Sequence, residues 1–300
     1  MDFEMLKFGN AAGTIKTLPE VEEACKSAMT EITVGSITME PREGNKPDRG
    51  RGRVYYYHPT EHWSLNSLGL PNMGLTEYIK VLPQMVLMAH SAGKSLRASV
   101  AGFTPEEYRI LTEECYAAGV DEAELNFGCP NVWGEGGQKP IPSYDPALTE
   151  SIYEEVDKHL APLEKVAIKI SPVTEQEILT PILDLAIMSG FVSRVVGTNT
   201  IPNQEGVAED GSPALSFNGS NHLGGLAGAG IFYQALDVME FVADYTNGSL
   251  DVMAVGGISS GKTAAQHLRS GASGFQCATA YLERGPRLFT HIIEELTELV

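Results

Sequence analysis

Residues 252–261 read Val-Met-Ala-Val-Gly-Gly-Ile-Ser-Ser-Gly, which joins an apolar run of strand length, a glycine pair and a helix start. Residues 274–280, Gly-Phe-Gln-Cys-Ala-Thr-Ala, form a second short run that ends in small residues. A strand that turns into a helix and leads to another strand is the repeating unit of a parallel α/β fold. The fold class therefore depends on how many such units the chain contains.

The same alternation of β-rich runs and amphipathic stretches continues through the chain. Helix-start signals precede several amphipathic stretches, for example Thr104-Pro105-Glu106-Glu107 and Ser260-Gly261-Lys262. Strands joined by right-handed crossovers run parallel, and about eight units favour a closed (β/α)8 TIM barrel of the α/β class over an open doubly wound sheet. The expected strands cover residues 7–11, 30–36, 95–101, 122–126, 166–170, 193–197, 252–255 and 274–277.

The size and charge of the chain limit its organisation and its partners. A chain of 300 residues with 43% hydrophobic residues suits one large barrel, so we expect a single domain over residues 1–300. The formal net charge of -18 repels phosphate backbones and anionic lipids, and no basic cluster stands out apart from Arg49, Arg51 and Arg53. We therefore expect no nucleic-acid partner and no membrane partner.

Apolar runs and cysteines indicate the compartment. No apolar run approaches the roughly 20 residues of a membrane helix, and the opening Met1-Asp2-Phe3-Glu4 lacks the plan of a secretory signal. The cysteines lack Cys-x-x-Cys spacing, which argues against disulfides and a zinc site. These features predict a cytoplasmic protein with reduced thiols and no bound metal. The four cysteines are Cys25, Cys115, Cys129 and Cys277.

Three irregular segments are candidates for ligand-binding loops. They cover residues 40–74, 128–144 and 198–230, and each is rich in Gly, Pro and Asn. In a TIM barrel, the loops after the carboxyl ends of the strands build the active site. Loops of this length and composition are more typical of ligand binding than of simple turns.

The two runs quoted first are the seventh and eighth strands of the expected barrel. The loops after these strands commonly bind a phosphate through backbone N–H groups and a helix N-terminus. Glycine lets the backbone approach the anion closely. Gly256, Gly257, Ala278 and Thr279 are therefore predicted to bind a phosphate group. The alternative is a tight strand-to-helix turn at Gly256-Gly257 that binds no ligand.

Two side chains stand where catalytic chemistry is expected. Cys129 follows a strand at the mouth of the barrel, where a partly solvated thiol can act as a base or a nucleophile. For the other three cysteines, set in apolar patterns, we expect buried small side chains. Lys169 lies on an apolar strand, where it is either a functional amine or a lysine whose ammonium reaches the surface.

The loop Asn126-Phe127-Gly128-Cys129-Pro130-Asn131-Val132 resembles the Asn-x-x-Cys-Pro-Asn-Val loop of the class 1 dihydroorotate dehydrogenases. The sequence of residues 66–72 is more similar to the homodimeric, fumarate-using class 1A than to the NAD-linked class 1B. Further matches occur in the order of the family over nearly the whole chain. They are Asn10-Ala11-Ala12-Gly13, Arg42-Glu43-Gly44-Asn45, Asn66-Ser67-Leu68-Gly69-Leu70-Pro71-Asn72, Lys169, Asn199-Thr200-Ile201-Pro202-Asn203, Gly224-Gly225-Leu226 and the segments at Gly256-Gly257 and Thr279.

The resemblance implies an FMN-dependent oxidation of dihydroorotate, or of a related cyclic amide, to orotate in pyrimidine biosynthesis. Cys129 would be the catalytic base, and Lys169 would point at the N1/O2 side of the flavin. A homodimer and fumarate as electron acceptor are implied as well. The implied substrate-binding residues are Asn66, Leu68, Gly69, Leu70, Asn126, Asn131, Asn199 and Thr200. The implied cofactor-binding residues are Ala11, Ala12, Gly13, Ser36, Asn126, Lys169, Gly224, Gly225, Gly256, Gly257, Ala278 and Thr279.

The sequence departs from the family pattern after the second strand. Gly35 stands where the family carries a lysine that contacts flavin and substrate, and Gly128 replaces the usual serine before the cysteine. Without that cation, an anionic substrate would be bound or oriented less well. Two alternatives therefore stay open: a flavin protein with a different substrate or no turnover, and a lyase without flavin in which Lys169 forms a Schiff base.

Overall fold

Eight parallel strands close into one barrel in the computed structural model, which describes residues 5–50, 52–129, 133–134, 137–219 and 221–299. The strands are β1 (Lys7–Asn10), β2 (Glu31–Ile37), β5 (Ser95–Val100), β6 (Glu122–Asn126), β9 (Val166–Ile170), β10 (Val192–Gly197), β13 (Asp251–Val255) and β14 (Gly274–Cys277). Their order around the barrel is β1-β14-β13-β10-β9-β6-β5-β2. The predicted (β/α)8 barrel is confirmed, and each predicted strand lies within a residue of an observed one.

Helices cover the outside of the barrel. They are α1 (Leu18–Cys25), α2 (Leu75–Ser91), α3 (Pro105–Ala117), α4 (Pro146–Asp157), α5 (Gln176–Ser189), α6 (Phe232–Thr246), α7 (Gly261–Arg269), α8 (Thr279–Arg284) and α9 (Arg287–Glu298). The start signals read from the sequence act as caps: Thr104 Oγ1 accepts a hydrogen bond from Glu107 N, and Ser260 forms a capping box with Thr263. Among the described helices, none is long and apolar enough to cross a membrane.

A second, four-stranded sheet lies at the carboxyl end of the barrel and was not predicted. Its strands are β3 (Tyr55–Tyr57), β4 (Trp63–Asn66), β11 (Ile201–Gln204) and β12 (Gly224–Gly228), in the order β11-β12-β4-β3. Two of the long loops supply these strands. The third long loop contains the short pair β7 (Trp133–Gly134) and β8 (Gly137–Gln138). The sheet holds the two ligand-loop segments in fixed positions over the barrel.

The inside of the barrel contains both apolar and ionic side chains. Small and apolar side chains form one interior cluster of Ala11, Ala167, Val196, Met253 and Val255. Buried ionic groups form a second set. One contact, from Arg194 Nη1 on β10 to Glu31 Oε2 on β2, is 3.0 Å long and joins strands that are not neighbours, so it crosses the interior. The ionic groups are Glu31, Arg97, Glu122, Glu124, Lys169 and Arg194.

Candidate active site

A cavity of about 320 Å³ opens at the carboxyl ends of the strands. This volume lies in the range of small-molecule sites, about 300–1,000 Å³. It extends from the loop that carries Cys129 to the loops after β13 and β14. Most residues predicted for substrate or cofactor line it: Ala11, Ala12, Gly13, Ser36, Asn66, Leu68, Gly69, Leu70, Asn126, Cys129, Lys169, Asn199, Thr200, Gly256, Gly257, Ala278 and Thr279.

Among the described residues that were predicted for the site, Gly224 and Gly225 do not line the cavity. Gly224 and Gly225 pair with the neighbouring strands, and the Gly225 carbonyl accepts a hydrogen bond from Asn66 Nδ2 at 3.3 Å. The part of β12 that lines the cavity is its end, at Ala227 and Gly228. Asn131 lies outside the described residues.

The glycine pair after β13 forms one end of the cavity. Gly257 has φ +69°, and a Cβ there would lie 2.7 Å from Phe232 Cβ. A Cβ on Gly256 would lie 2.3 Å from Ala235 Cβ. Both glycines are therefore required by the close packing of the turn on α6, as the turn interpretation expects. The same turn leaves the cavity side lined by backbone, as phosphate binding requires.

Two cations that the sequence argument missed also line the cavity. Lys16 follows the Ala11-Ala12-Gly13 loop, and Arg284 Nη1 donates to the Ser259 carbonyl at 2.7 Å. Burial lowers the pKa of Lys16, while Glu20 opposes that change. The Thr279 and Ser64 hydroxyls share a hydrogen bond of 2.7 Å, which ties the loop after β14 to the overlying sheet. Cationic side chains and glycine backbone together suit an anionic group.

Polar side chains converge at the other end of the cavity, around Asn126. Its Nδ2 donates to Ser36 Oγ at 2.9 Å, and its Oδ1 accepts from Asn199 Nδ2 at 3.2 Å. Ser36 Oγ is also 2.9 Å from Ser99 Oγ. The buried Thr200 Oγ1 has no hydrogen-bond partner among the described residues. A polar ligand at this end therefore meets an oriented set of amide and hydroxyl groups.

Cys129 is half-buried and lines this polar end. The residue before it, Gly128, packs against Asn199: a Cβ on Gly128 would lie 2.8 Å from Asn199 Cβ. A serine is thus excluded by the position of Asn199, which explains the departure at residue 128. Of the other cysteines, Cys115 and Cys277 are buried and Cys25 is half-buried on α1. Burial raises the pKa of the Cys115 thiol to about 12.

The backbone conformation at position 35 requires glycine. Its φ is +109°, and a Cβ there would lie 2.5 Å from the Ser99 carbonyl oxygen. This backbone cannot carry a lysine at position 35 without moving. Ser36, the next residue, lines the cavity and contacts Asn126 instead. The side chain that this strand end presents to the cavity is therefore a hydroxyl and not an ammonium.

Lys169 lies beside Asn126 in the β6–β9 register and lines the cavity between its two ends. Its ammonium does not reach the surface, since the side chain is 5% exposed. Its Nζ is 3.9 Å from Glu124 Oε1. Burial lowers the pKa of Lys169, and Glu124 partly opposes that effect. Lys169 is therefore a buried, paired amine at the wall of the site.

Other cavity-lining residues had only weak signals in the sequence. Gln276 lies two positions before Ala278 on β14, where alternation turns it toward the barrel interior. Tyr55 and Tyr57 alternate on β3 in the same way. The overlying sheet brings them to the cavity, and the sequence did not predict that sheet. The further lining residues include Thr14, His62, Ser64, Thr198, Ile231, Val255 and Glu283.

The fold and this site together define a TIM-barrel enzyme whose site lies at the carboxyl ends of the strands, with a cysteine at one end and a glycine-lined, cationic turn at the other. The family model described as "Dihydroorotate dehydrogenase" matches residues 3–300. The chain therefore belongs to the dihydroorotate dehydrogenase family, a family of flavin-dependent oxidoreductases.

Individual relatives agree with this assignment. A putative dihydroorotate dehydrogenase A (fumarate) of Streptococcus uberis is 32% identical, over 97% of this chain and 88% of the relative. The dihydroorotate dehydrogenase A (fumarate) of Lactococcus lactis subsp. lactis is 30% identical, over 98% of this chain and 90% of the relative. The resemblance to the class 1A type is thereby confirmed. The comparisons favour an oxidoreductase over the lyase and over the inactive flavin protein.

A solved structure shares the fold. A crystal structure of DHODH in complex with ferulenol, from Eimeria tenella, superimposes with a TM-score of 0.80 at 21% identity. The match covers 97% of this chain and 80% of that chain.

Proposed function

We propose that this protein is an FMN-dependent dehydrogenase that oxidises dihydroorotate, or a related cyclic amide, with Cys129 as the base. The observation that carries the proposal is one continuous cavity that joins Cys129 and the Asn126 cluster to the glycine turn at Gly256-Gly257. A reaction that removes a proton and a hydride from neighbouring carbons needs a base and a hydride acceptor in one site. The two ends of the cavity provide room for both.

The residues present fit a flavin mononucleotide. The turn at Gly256-Gly257, with Ala278 and Thr279, would hold the phosphate through backbone N–H groups, and Lys16 and Arg284 would add positive charge. Ala11, Ala12, Gly13, Ser36, Asn126 and Lys169 would line the ring system, while Gly224 and Gly225 would support it from β12. When bound, the flavin would supply the acceptor for the hydride.

The chain itself would bind the substrate and move one proton. Asn66, Asn126, Asn131, Asn199 and Thr200 would match the amide edges of the ring, and Leu68, Gly69 and Leu70 would enclose it. Thr200 Oγ1, buried and without a partner among the described residues, is a ready donor or acceptor for such an edge. Cys129 Sγ would take the proton from the carbon next to the carbonyl.

The names of the relatives support fumarate as electron acceptor. Oxidation of dihydroorotate to orotate would place the enzyme in pyrimidine biosynthesis. We also propose that the protein is located in the cytoplasm and that residues 1–300 form one domain. No nucleic acid and no membrane is expected as a partner, given the formal net charge of -18.

Anaerobic reduction tests the proposed function. Purified protein loaded with FMN should lose its yellow colour when dihydroorotate is added without oxygen, and fumarate should restore it. Dihydrouracil, which lacks the carboxylate, is the matched comparison, because glycine at position 35 provides no ammonium for that carboxylate and the preference between an anionic and a neutral ring has to be measured. Flavin that stays oxidised with saturating amounts of both compounds would contradict the proposal.

We expect the bound cofactor to be FMN and not FAD. Among its described residues, the cavity has one glycine-lined turn, which we propose as the phosphate site, and the described elements include no separate dinucleotide fold. Heat-released cofactor, separated by chromatography, should therefore comigrate with FMN. Recovery of FAD would show that the cavity accepts a second phosphate and a nucleoside.

We also expect a homodimer, by analogy with the class 1A type. Light scattering of the purified protein should give about twice the chain mass of 32.3 kDa. A mass that stays at one chain over a wide range of concentrations would contradict this expectation.

A further inference from the structure

Lys169 is the last member of a row of buried ionic groups inside the barrel. The row begins at the opposite mouth, where Arg194 contacts Asp251 at 3.8 Å and Glu31 at 3.0 Å. Arg97, 1% exposed, pairs with Glu31 and Glu122. We call the buried set the interior ion row, and its members are Arg194, Glu31, Glu122, Arg97, Glu124 and Lys169, while Asp251 lies exposed at the mouth outside it.

Glu124 interacts with both Arg97 and Lys169 and so links them within the row. The residue is completely buried, and its two oxygens face different partners. Oε1 lies 3.9 Å from Lys169 Nζ, and Oε2 accepts a hydrogen bond of 3.2 Å from Gln276 Nε2. Gln276 is on β14, on the other side of the barrel from β6, so this bond fixes the carboxylate from across the interior.

The surroundings of Lys169 make this carboxylate necessary. Burial lowers the pKa of Lys169, Glu124 raises it, and Arg97 lowers it. The charged groups that face Lys169 come from β6 (Glu124) and β5 (Arg97), with Arg194 and Glu31 deeper in the row. The interior cluster of Ala11, Ala167, Val196, Met253 and Val255 contributes no charge. Without Glu124, the ammonium would keep neutral polar neighbours such as Asn126, but its remaining charged neighbour among the described residues would be the Arg97 guanidinium, which repels it.

We infer that Glu124 is a positioning residue that holds the Lys169 ammonium at the cavity wall and thereby raises the reduction potential of the bound flavin. The inference rests on the proposed FMN site. A cation beside the ring favours the form that gains negative charge on reduction. Lys169 can provide that charge only while Glu124 keeps it protonated and extended toward the cavity.

The test is a four-protein cycle in the midpoint potential of bound FMN: wild type, Lys169→Met, Glu124→Gln and the double variant. Lys169→Met should lower the potential in the wild-type background. In the Glu124→Gln background, the same substitution should lower it by less than half as much. Glu122→Gln is the matched control, because Glu122 pairs with Arg97 and Arg194 and not with Lys169. In that background the full effect of Lys169→Met should remain.

An equal effect of Lys169→Met in the wild-type and Glu124→Gln backgrounds would overturn the inference. If Lys169→Met leaves the potential of the wild type unchanged, or if FMN does not bind at all, the proposed flavin site fails instead.

The same four proteins without flavin give an independent cycle in the free energy of unfolding. The double variant should lose less than the sum of the two single losses, because it removes both buried charges. If Glu124→Gln alone folds poorly, the expected result is that the double variant folds better than Glu124→Gln, because it no longer contains the unpaired lysine. Additive losses would overturn the pairing whatever the cofactor.

Discussion

Cys129→Ala should slow the reduction of bound FMN by dihydroorotate at least about 10²-fold, the usual cost of removing a general base. FMN should bind almost as tightly as before, because Cys129 lies at the Asn126 end of the cavity and the glycine turn forms the other end. Stopped-flow absorbance without oxygen measures the first quantity, and quenching of flavin fluorescence measures the second.

Two further variants separate the base from other roles of the thiol. Cys129→Ser keeps the size of the side chain but supplies a much weaker base, so its reduction should also be slow and should recover partly at high pH. Cys25→Ala removes another half-buried thiol, on α1, which does not line the cavity, and should reduce its flavin at the wild-type rate. If Cys129→Ala reduced its flavin at the wild-type rate, the base would be another residue, and the case for dihydroorotate as substrate would be weaker.

The barrel strands were predictable because their signal is local. Runs such as 166–170 and 252–255 are apolar, short and bounded by turns, and the chain order alone places the last two at the expected phosphate end. The positions of Gly256, Gly257, Ala278 and Thr279 follow from that order, and all four line the cavity.

The overlying sheet was not predictable from the same signals. It pairs Asn66 with Gly225, two residues that are far apart in the chain, and strands of three to five residues carry little periodicity. The prediction placed the glycines of this segment at the cofactor by analogy. The register of β12 brings Ala227 and Gly228 to the cavity, and Gly224 and Gly225 lie earlier on the same strand.

The ionic groups inside the barrel were also missed, for a different reason. A strand with charged residues at alternate positions, such as β6 with Glu122 and Glu124, resembles a strand with one solvated face. Only the closed barrel shows that these carboxylates face cationic side chains of other strands. The sequence indicates Lys169 by its place on an apolar strand and by the family resemblance, but its partner Glu124 can be identified only once β6 and β9 are known to be neighbours.

The largest loss of stability is expected from Arg97→Met. The side chain of Arg97 is 1% exposed, its Nη1 lies 3.0 Å from Glu31 Oε2, and its Nη2 pairs with Glu122. Methionine has a similar length, but it leaves the carboxylates of Glu31 and Glu122 with Arg194 as their remaining cation among the described residues. Breaking a buried ionic group in this way costs about 3–5 kcal/mol of unfolding free energy. Denaturant unfolding at neutral pH measures it.

Lys26→Met is the matched control, since Lys26 also faces two carboxylates, Glu22 at 3.8 Å and Glu23 at 2.6 Å, but on the surface. Its unfolding midpoint should stay close to that of the wild type, because exposed pairs contribute little. A loss in Arg97→Met as small as that of Lys26→Met would mean that the interior ion row does not stabilise the fold.

The loss in Arg97→Met should also depend on pH. Burial raises the pKa of Glu31, but Arg97 and Arg194 outweigh burial and hold it below the ordinary value of 4.5. A carboxyl whose pKa is lower in the folded state contributes stability above its unfolded pKa, and loses it as the pH falls through the folded pKa. Without Arg97 this contribution shrinks. The gap between wild type and variant should therefore be widest above about pH 4.5 and should narrow below it. A gap that stays constant from neutral pH into this acidic range would show that Arg97 acts through packing and not through its charge.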